Sequence, residues 1–431
     1  MKSSLPKVLH PIANRPMLAH VVEACRGAGV ARVDVVVGAG AERVRAALED
    51  VTFHEQVERR GTAHATLAAR EAIEAGHDEV LVLFGDTPLV LPSTVEILRG
   101  AMADGADVAV LGFHTSDPTG YGRLIVEDDV LRRIVEHKDA SEAERAVTFC
   151  NAGIMGFRGG VAMELLKAVG SDNAQNEYYL PDTVAIANER GLKVAAREVS
   201  EEETLGVNDR VQLADRERRW QRRRRVELMR AGVSMQDPET VFLSADTAIE
   251  RDVVLEPNVW FGPGVTVGEG AIIHACSHVT QSRIGAGCEV GPFARLRPGT
   301  VLASRAKVGN FVEIKNTRVA EGAKASHLAY VGDTDLGARS NIGAGTITAN
   351  YDGYGKHRTR IGEEVFIGSN ATLVAPVTIG DRANVAAGST ITADVSADAL
   401  AFGRARQSEV EGRAVELRAR NKARKEAAKA G

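Results

Sequence analysis

The stretch Ile284-Gly285-Ala286-Gly287-Cys288-Glu289-Val290-Gly291-Pro292-Phe293-Ala294-Arg295-Leu296 carries an apolar side chain at every sixth position. The same spacing runs from Leu243 to Ile391, with three slips of one residue and one gap of thirteen. A period of six fits neither the period of a helix nor the alternation of one long strand. It is typical of a coil of short strands in which each strand points one side chain inward. The inward positions are Leu243, Ile249, Leu255, Phe261, Val267, Ile273, Val279, Ile284, Val290, Leu296, Leu302, Val308, Ile314, Val319, Ala325, Val331, Leu336, Ile342, Thr348, Ile361, Ile367, Leu373, Ile379, Val385 and Ile391.

An ordinary β-sandwich of aliphatic strands would not keep this spacing, so the sequence predicts a parallel β-helix. Three hexapeptides would make one triangular turn, and turns stacked about 4.8 Å apart would give roughly eight turns and a prism about 40 Å long. The gap between Thr348 and Ile361 predicts a loop from Ala349 to His357 that is pushed out of the prism. Such a loop on a stiff scaffold is a common place for function.

The composition is that of an ordinary globular chain. It has 431 residues, of which 44% are hydrophobic and 26% are charged, and its formal net charge is −5. The length favours two domains, and the charge offers no general attraction to nucleic acid or membranes. Four cysteines without metal-like spacing, and the absence of a long apolar run, predict a cytoplasmic protein without membrane insertion.

Residues 1–200 alternate strand and helix patterns, which predicts an α/β domain with a largely parallel sheet and a ligand crevice at the carboxyl ends of its strands. Residues 208–232 are predicted to form a helix that links this domain to the coil. The predicted strands are Val33–Val37, Val80–Phe84, Val108–Phe113 and Val194–Val199, and amphipathic helices are predicted at Pro16–Ala28, Gly40–Leu48 and Thr62–Ala75.

Asp86 closes an apolar strand and is followed by Thr87 and Pro88. A carboxylate in that place can hold Mg²⁺ together with substrate phosphates. The same tripeptide is also good turn chemistry, so a turn-forming aspartate is the alternative. Gly61-Thr62 at the start of a helix either offers backbone amides to an anion or is merely a cap.

Arg222–Arg225 and the segment after Arg404 carry runs of positive charge. Acidic residues surround the four arginines, so a solvated helix face is favoured over a nucleic-acid site. The tail is predicted to be a frayed helix, with an interaction arm as the alternative.

His327 stands beside the third run of repeats, shortly before Tyr330. A zinc site would need several histidines with a shared spacing, which the sequence of this region lacks. The cations Arg297, Lys315 and Lys356 suggest a phosphate-bearing ligand instead. His327 is therefore interpreted either as a general base or as a structural histidine.

Ten short motifs, in one order along nearly the whole chain, carry a resemblance to a known family. They are Leu5–His10, Gly61–Ala65, Phe84–Leu89, Asp117–Arg123, Val135–Asp139, Gly206–Asn208, Gly291–Gly299, Gly309–Glu313, Asn341–Thr346 and Asn350–Gly353. Together they resemble the bifunctional bacterial glucosamine-1-phosphate acetyltransferases/N-acetylglucosamine-1-phosphate uridyltransferases. The resemblance implies a Rossmann-like nucleotidyltransferase domain at 1–207, a linker helix at 208–232, and a left-handed β-helix of hexapeptide repeats at 233–431 with a tail from about 404.

In the first domain, the resemblance implies that N-acetylglucosamine 1-phosphate attacks the α-phosphate of UTP and that pyrophosphate leaves. Positioning and charge neutralisation serve such chemistry better than a protein nucleophile does. By matching position, Asp86 and Asn208 would bind Mg²⁺; Lys7, Gln56, Gly61 and Thr62 would line the nucleotide, with Phe84 and Gly85 beside the metal; and Gly122, Glu136 and Asn151 would hold the sugar.

In the second domain, the resemblance implies that the amine of glucosamine 1-phosphate attacks the thioester of acetyl-CoA, with His327 taking the amine proton. The family forms homotrimers with sites between adjacent prisms, so trimerisation would be part of this site. By matching position, Arg297 and Lys315 would hold the sugar phosphate, Tyr330 and Asn341 the sugar, and Ala344, Asn350, Tyr351, Ser369, Ala387 and Arg404 the acetyl-CoA.

One part of the family pattern is unmatched. The family begins with a strand and a Gly-rich loop, Leu-x-Ala-Ala-Gly-x-Gly-Thr-Arg-Met, and Met1 aligns with the last residue of that motif. The loop would give backbone amides to the nucleotide phosphates, and its strand is expected to be central in the sheet. A misplaced start or a clipped chain is the hypothesis. If Met1 is the true start, little uridyltransferase activity is expected, and the acetyltransferase should survive.

Both reactions together would make UDP-N-acetylglucosamine, a precursor of peptidoglycan and lipid A. One alternative is an acetyltransferase whose first domain is inactive. Another is a non-catalytic regulatory subunit of the same build, although candidate residues at both sites argue against it. The expected partners are small molecules and two further copies of the chain, without nucleic acid.

Overall fold

The computed structural model describes residues 1–38, 40–128 and 130–430, which fall into two compact units. The first unit comprises residues 1–231, 238–247 and 261–263, and the second comprises 232–237, 248–260 and the chain from 264 onward. The long helix Arg210–Arg230 lies in the first unit. The limits 1–207, 208–232 and 233–431 stay a prediction.

The first unit alternates strands and helices over most of its length, as the sequence predicts. Its strands are Pro11–Ile12, Arg15–Pro16, Asp34–Gly38, Thr52–Gln56, Glu79–Val82, Val108–His114, Arg123–Glu127, Val130–Val135, Phe149–Arg158 and Val194–Glu198. Its α-helices are Met17–Gly27, Glu42–Arg45, Thr62–Leu67, Arg70–Glu74, Pro92–Ala103, Glu142–Arg145, Gly159–Ala168, Thr183–Glu189, Glu201–Thr204 and Arg210–Arg230, and its 3₁₀ turns are Lys7–Leu9, Leu180–Asp182 and Pro238–Thr240. Each predicted strand and helix of this unit is therefore confirmed, although the helix expected over Thr62–Ala75 is split in two.

The main sheet of the first unit is mixed, where the alternation of elements led us to expect a largely parallel one. Val108–His114 runs parallel to Val194–Glu198. Phe149–Arg158 runs antiparallel to both Val108–His114 and Glu79–Val82. After Val108–His114 the chain makes three successive strands without a long crossover helix, and strands joined by short connections pair antiparallel. A separate two-stranded sheet pairs Asp34–Gly38 with Thr52–Gln56 in parallel.

The core of the first unit lies on the faces of the main sheet, where Val108, Val110 and Phe157 are fully buried. The long helix Arg210–Arg230 begins at Asp209, whose side chain accepts a hydrogen bond from the Gln212 backbone amide at 2.8 Å. This is the usual way to satisfy a free amide at a helix start.

The arginine run in this helix is not wholly the solvated face that the sequence favoured. Arg225 is buried and donates to the Pro238 carbonyl at 2.6 Å, and Arg223 donates to the Leu89 carbonyl at 2.9 Å. Arg223 is held by a residue 134 positions away, and Arg225 by the 3₁₀ turn that follows the helix, so the acidic residues within the helix could not predict either contact.

The second unit is a parallel β-helix with three flat faces, which confirms the prediction from the six-residue period. Each turn of the chain passes from the first face to the second and then to the third. The first face consists of Ser234–Met235, Val254–Leu255, Ile272–Ile273, Glu289–Val290, Lys307–Asn310, Lys324–His327, Asn341–Ile342, Phe366–Ile367, Asn384–Val385 and Leu400–Ala401. The second consists of Trp260–Phe261, His278–Val279, Arg295–Leu296, Glu313–Lys315, Tyr330–Gly332, Ile347–Ala349, Thr372–Val374 and Thr390–Ile391. The third consists of Ala248–Ile249, Val265–Val267, Ser282–Ile284, Thr300–Leu302, Arg318–Val319, Thr334–Leu336, Thr359–Ile361 and Val377–Ile379.

The register between turns keeps the predicted inward residues in columns. Val290 pairs with Val308 and Leu296 pairs with Ile314, one turn apart and in parallel. All of the predicted inward positions are buried except Ile249, which is half-buried near the start of the coil. The burial of one aliphatic side chain per strand is what the spacing encodes.

The three corners of the coil differ in chemistry. The first corner, between the first and second faces, exposes Phe293, Phe311 and Leu328 in successive turns; the rings of Phe293 and Phe311 stack at 5.1 Å. We call these three residues the apolar strip. The third corner, between the third and first faces, instead carries ion pairs such as Arg382–Asp398 at 2.7 Å.

The loop after Thr348 is pushed out of the coil as predicted. It is closed by a backbone bridge between Tyr351 and Lys356, and Asp352 accepts hydrogen bonds from the Tyr354 and Gly355 amides at 2.8 and 2.7 Å. The tail forms the predicted helix, Arg413–Ala430, whose described side chains are exposed. Within the described ranges, none of the helices combines the length and apolarity that crossing a membrane requires.

Candidate active sites

Three predicted residues that are far apart in sequence meet in the first unit. The Lys7 ammonium lies 2.5 Å from Asp86 Oδ2 and donates to Asn208 Oδ1 at 2.8 Å. Both oxygens therefore face one cation from two directions. Lys7 and Asp86 stay partly exposed, with 36% and 25% of their side-chain surfaces accessible, so a ligand can reach them.

Backbone contacts hold this arrangement in place. The Asp86 carbonyl accepts from the Val207 amide at 3.0 Å, which ties the segment before the long helix to the end of the Glu79–Val82 strand region. The Asn208 amide in turn donates to Gln212 Oε1 at 2.7 Å. Asp86 is thus placed by the sheet, and Asn208 is placed by the start of a helix.

The donor set fits Mg²⁺. This ion takes oxygen ligands, and in nucleotide sites it uses one or two protein side chains and completes its shell from phosphates and water. Asp86 and Asn208 supply one carboxylate and one amide oxygen that already converge on a cation. In the part of the chain that the structure describes, His, Cys, Asp and Glu form no group of three that would suit a different metal.

The predicted sugar-binding residues form a second cluster in the first unit. The Asn151 amide donates to the Gly122 carbonyl at 2.8 Å. A Cβ built on Gly122 would lie 3.1 Å from Glu136 Oε1, so the missing side chain leaves room for that carboxylate. Burial raises the pKa of Glu136, and Asp139 and Asp182 raise it further, while Arg123 acts in the opposite direction. A partly buried carboxylate of this kind is suited to accept hydroxyl hydrogen bonds.

Phe84 and Gly85 lie between the strand Glu79–Val82 and the candidate metal ligand Asp86. The Phe84 ring packs against the backbone of Gly153, where a Cβ would come within 2.3 Å of the ring. The Gly153 amide donates to Asn151 Oδ1 at 2.9 Å, which links Phe84 to the sugar cluster. A Cβ on Gly85 would lie 2.8 Å from a terminal methyl group of Leu18, so a larger residue there would require the Leu18 side chain to move.

Gln56, Gly61 and Thr62 form a third group. Gln56 Nε2 donates to the Gly61 carbonyl at 3.3 Å, and Thr62 Oγ1 accepts from the Leu180 amide at 2.9 Å. Gly61 has a φ of +111°, and a Cβ there would lie 2.5 Å from the Tyr178 carbonyl oxygen. Only glycine meets both conditions without strain. The backbone geometry therefore requires glycine at this position, independently of its predicted nucleotide contact.

His327 ends a strand of the first face and is exposed. Its Nδ1 lies 2.6 Å from Asn310 Oδ1, and Asn310 is its partner in the preceding turn. An amide oxygen only accepts, so this bond places the proton on Nδ1 and leaves Nε2 free to take a proton. The geometry therefore suits the predicted general base.

Three of the four predicted phosphate and sugar residues stack on or directly beside the second face, and the fourth, Asn341, lies on the first face. Arg297 follows one strand, Lys315 ends the next, and Tyr330 begins the one after. Arg297 donates to Glu313 Oε1 at 2.7 Å. The neighbouring Lys315 ammonium lowers the pKa of Lys356, and such a pair of like charges is relieved when a phosphate binds between them.

Asp333 connects the side chains of Asn316 and Asn350, and it was not among the predicted site residues. It is buried at the second corner, between the second and third faces, and its carboxylate accepts from the side-chain amides of Asn316 and Asn350. Asn350 also reaches the Tyr330 hydroxyl at 3.5 Å. Asp333 therefore fixes the base of the extruded loop beside the sugar-binding face.

The predicted acetyl-CoA residues fall into two groups. Ala344, Ser369, Ala387 and Arg404 follow first-face strands in four successive turns; the Asn370 amide, for example, donates to the Ala344 carbonyl at 2.7 Å. Asn350 and the exposed Tyr351 lie beyond the second face. Asn341 lies on the first face, paired with Lys324 and Phe366. Within one copy, the second face separates the two groups.

Asn310, Glu313 and Asp333 are the functional candidates that the sequence analysis missed. The signal was present for Asn310, because it stands seventeen residues before His327 and one turn of this coil is about that long. Glu313 pairs with Tyr330 in the same way. The same signal was present for Asp333, which stands seventeen residues after Asn316 and seventeen residues before Asn350, the two residues whose side-chain amides it accepts from.

Comparisons with known proteins agree in both units. The family of MobA-like NTP transferase domains matches residues 1–151, and the bacterial transferase hexapeptide repeats match residues 358–393. The bifunctional protein GlmU of Agrobacterium fabrum is 58% identical over 433 residues, which cover 100% of this chain and 96% of the relative. Those of Sinorhizobium fredii and Sinorhizobium medicae are 57% and 58% identical, with 100% of this chain and 95% of each relative covered.

Proposed function

Since the chain belongs to the family of bifunctional GlmU proteins, we propose that it makes UDP-N-acetylglucosamine by two transfers, one in each unit. The left-handed β-helix transfers the acetyl group of acetyl-CoA to glucosamine 1-phosphate. The first unit transfers the uridylyl group of UTP to the product. The observation that carries this assignment is the 58% identity that extends over the whole chain.

For acetyl transfer, we assign His327 as the general base. Its Nε2 takes a proton from the amine of glucosamine 1-phosphate, whose nitrogen attacks the thioester carbon. The C–S bond then breaks, and the departing thiolate of coenzyme A takes the proton back from Nε2 and leaves as the thiol. The bond from Nδ1 to Asn310 supports this role because it fixes the ring and the tautomer. Arg297 and Lys315 would hold the phosphate, Tyr330 and Asn341 the sugar.

For uridylyl transfer, we assign Asp86 and Asn208 as the Mg²⁺ ligands and Lys7 as a phosphate contact. When bound there, the ion would neutralise charge on the triphosphate. Gly122, Glu136 and Asn151 hold the sugar, so that an oxygen of its phosphate faces the α-phosphorus and pyrophosphate can leave on the opposite side. Gln56, Gly61 and Thr62, with Phe84 and Gly85, complete the nucleotide side. The convergence of Asp86 and Asn208 on one cation supports the metal assignment.

We further propose that the acetyltransferase works as a homotrimer. The apolar strip leaves Phe293, Phe311 and Leu328 about half exposed or more, which is unusual for side chains that face only water. The two groups of predicted acetyl-CoA residues also lie on opposite sides of the second face. A neighbouring copy packed beside that face would bring one group of one copy close to the other group of the next copy. We place the enzyme in the cytosol, where UTP and acetyl-CoA are available and the four free cysteines stay reduced.

A coupled assay tests the two activities separately. Purified chain is given glucosamine 1-phosphate, acetyl-CoA, UTP and Mg²⁺, and free thiol and pyrophosphate are each measured. Both products are expected. Thiol without pyrophosphate would identify an acetyltransferase alone, and neither product would favour a non-catalytic subunit. Asp86→Asn should abolish only the pyrophosphate signal, which links that activity to the first unit.

A further inference from the structure

Lys7 occupies the point at which the proposed metal ligands converge. Its ammonium lies 2.5 Å from Asp86 Oδ2 and 2.8 Å from Asn208 Oδ1. Magnesium bonds to oxygen at about 2.0–2.1 Å and would use the same two oxygens. An ammonium group and a divalent ion cannot share that position, because two cations so close repel each other strongly.

The attachment of Lys7 allows it to leave. It begins a short 3₁₀ turn, Lys7–Leu9, and its side chain is partly exposed. Lysine carries its charge at the end of four flexible methylene groups, so the ammonium can swing away without any backbone movement. The backbones of Asp86 and Asn208, in contrast, are fixed by the bond from the Val207 amide to the Asp86 carbonyl and by the bond from the Asn208 amide to the Gln212 side chain.

We infer that Lys7 is a tethered placeholder for the metal ion, which keeps Asp86 and Asn208 in their ligand positions and moves to the nucleotide phosphates when the ion enters. The inference rests on the proposed assignment of Asp86 and Asn208 as metal ligands. It adds a sequence of events at that site. The metal ion enters first and displaces the Lys7 ammonium, which then neutralises charge on the triphosphate. Metal and phosphate binding are thereby coupled through one side chain.

Competition by Lys7 has a measurable consequence without any substrate. If the Lys7 ammonium fills the site in most molecules, the apparent metal affinity is the intrinsic affinity multiplied by the small fraction of molecules in which the site is open. Replacing Lys7 with a neutral side chain should therefore tighten metal binding. A lysine that merely positions the two oxygens would have the opposite effect, because its loss would leave them less well organised.

The experiment measures Mn²⁺ binding to the full chain by electron paramagnetic resonance, with no nucleotide or sugar present. Lys7→Met and Lys7→Gln should bind the ion about tenfold more tightly than the unmodified chain. Lys2→Met is the matched control, since Lys2 is a neighbouring cation with no assigned contact to the site, and its affinity should change less than about twofold. In the unmodified chain labelled with ¹⁵N-lysine, the Lys7 side-chain resonance should shift when Mg²⁺ alone is added.

Unchanged or weaker binding by both Lys7 variants would overturn the placeholder role. An equal gain in Lys2→Met would also overturn it, because the effect would then be general charge removal. The proposed metal site is tested apart from this by Asp86→Asn, which should weaken Mn²⁺ binding in every background. If Asp86→Asn left binding unchanged, the metal assignment itself would fall, whatever the Lys7 variants did.

Discussion

The two candidate sites are assembled by different means. In the first unit, Lys7 meets Asn208 across 201 residues of sequence, and the site depends on how a mixed sheet and a long helix are brought together. In the second unit, Asn310 meets His327 across 17 residues, because every turn of the coil lies on the one before it. The candidate site of the coil is therefore assembled from residues in adjacent turns, whereas the candidate site of the first unit is assembled from residues that are far apart in sequence.

The charges are arranged differently as well. The cation of the first site is already paired with a carboxylate and an amide oxygen. His327, the proposed base of the second site, is held by a neutral amide, and Lys315 on the second face lies close to Lys356 of the extruded loop, whose pKa it lowers. If the proposed ligands bind, the first site would have to release the Lys7 contact before a metal ion enters, whereas the second site would gain a contact when phosphate binds.

The largest expected effect separates the two activities. His327→Ala should lower acetyl transfer about 10²–10⁴-fold, the usual contribution of a general base, and should leave uridylyl transfer unchanged. Both rates are measured on the same preparation by thiol and pyrophosphate release. His278→Ala, a histidine of the same coil that stacks on Trp260, should change neither rate. An equal loss of both activities in His327→Ala would show that the histidine serves folding instead.

A smaller effect tests whether the coil site needs a second copy. Phe311→Asp places a charge in the apolar strip and should weaken self-association about 30-fold, the size of effect seen when a central interface residue is lost. Acetyl transfer should then fall at low protein concentration, whereas uridylyl transfer should not. Mass and both rates are followed by light scattering and the coupled assay over a range of concentrations. Arg305→Ala, at the charged third corner, should keep the mass of the unmodified chain; a monomeric Phe311→Asp with full acetyl transfer would sink the trimer proposal.

The smallest effect concerns stability in the first unit. Burial holds the folded-state pKa of Glu136 above its ordinary value, so ionising this group costs folding free energy once the pH exceeds the unfolded-state pKa. The stabilisation of the fold by protonated Glu136 is therefore fully present below the unfolded-state pKa, and it is lost as the pH rises through the folded-state pKa. Glu136→Gln should therefore raise the free energy of unfolding at neutral pH by about 0.5–2 kcal/mol, while weakening uridylyl transfer.

Urea unfolding at neutral pH and near pH 4 measures this directly. The gain should shrink at the lower pH, where the unmodified carboxyl group becomes increasingly protonated in both the folded and the unfolded state. Glu127→Gln, at the exposed end of the strand Arg123–Glu127 of the same sheet, is the control and should change stability little. A stabilisation that did not depend on pH would point to packing instead of charge.

The same contrast explains what the sequence could predict. The period of six placed Leu296, Val308 and Ile314 inside the coil, because a side chain that recurs at a fixed spacing must recur at a fixed place in each turn. The extruded loop followed from a single break in that period. Even Asn310 beside His327 follows from counting back one turn, although the sequence analysis did not make that step.

The first unit was predictable in its elements and less so in their pairing. The strand at Val108 was found from its apolar run, but the antiparallel partner Phe149–Arg158 was not, since a run of apolar residues carries no direction. Arg225 was expected in water because its neighbours in sequence are charged, and it is buried by contacts with Pro238 that only the fold creates. The meeting of Lys7 with Asp86 and Asn208 is of the same kind: the resemblance named the residues, and only the structure places the ammonium between the two oxygens.

The turn-upon-turn register of the coil also bears on how the molecule forms. Contacts such as Asn310–His327 and Arg339–Glu364 span 17 and 25 residues, so each turn can settle on its predecessor as soon as it is made. Chains rich in such short-range contacts fold quickly, whereas long loop closures are slow. On the ribosome, Lys7 can meet Asp86 early, but its contact with Asn208 must wait until that residue has been synthesised, and by then no turn of the coil has yet been made.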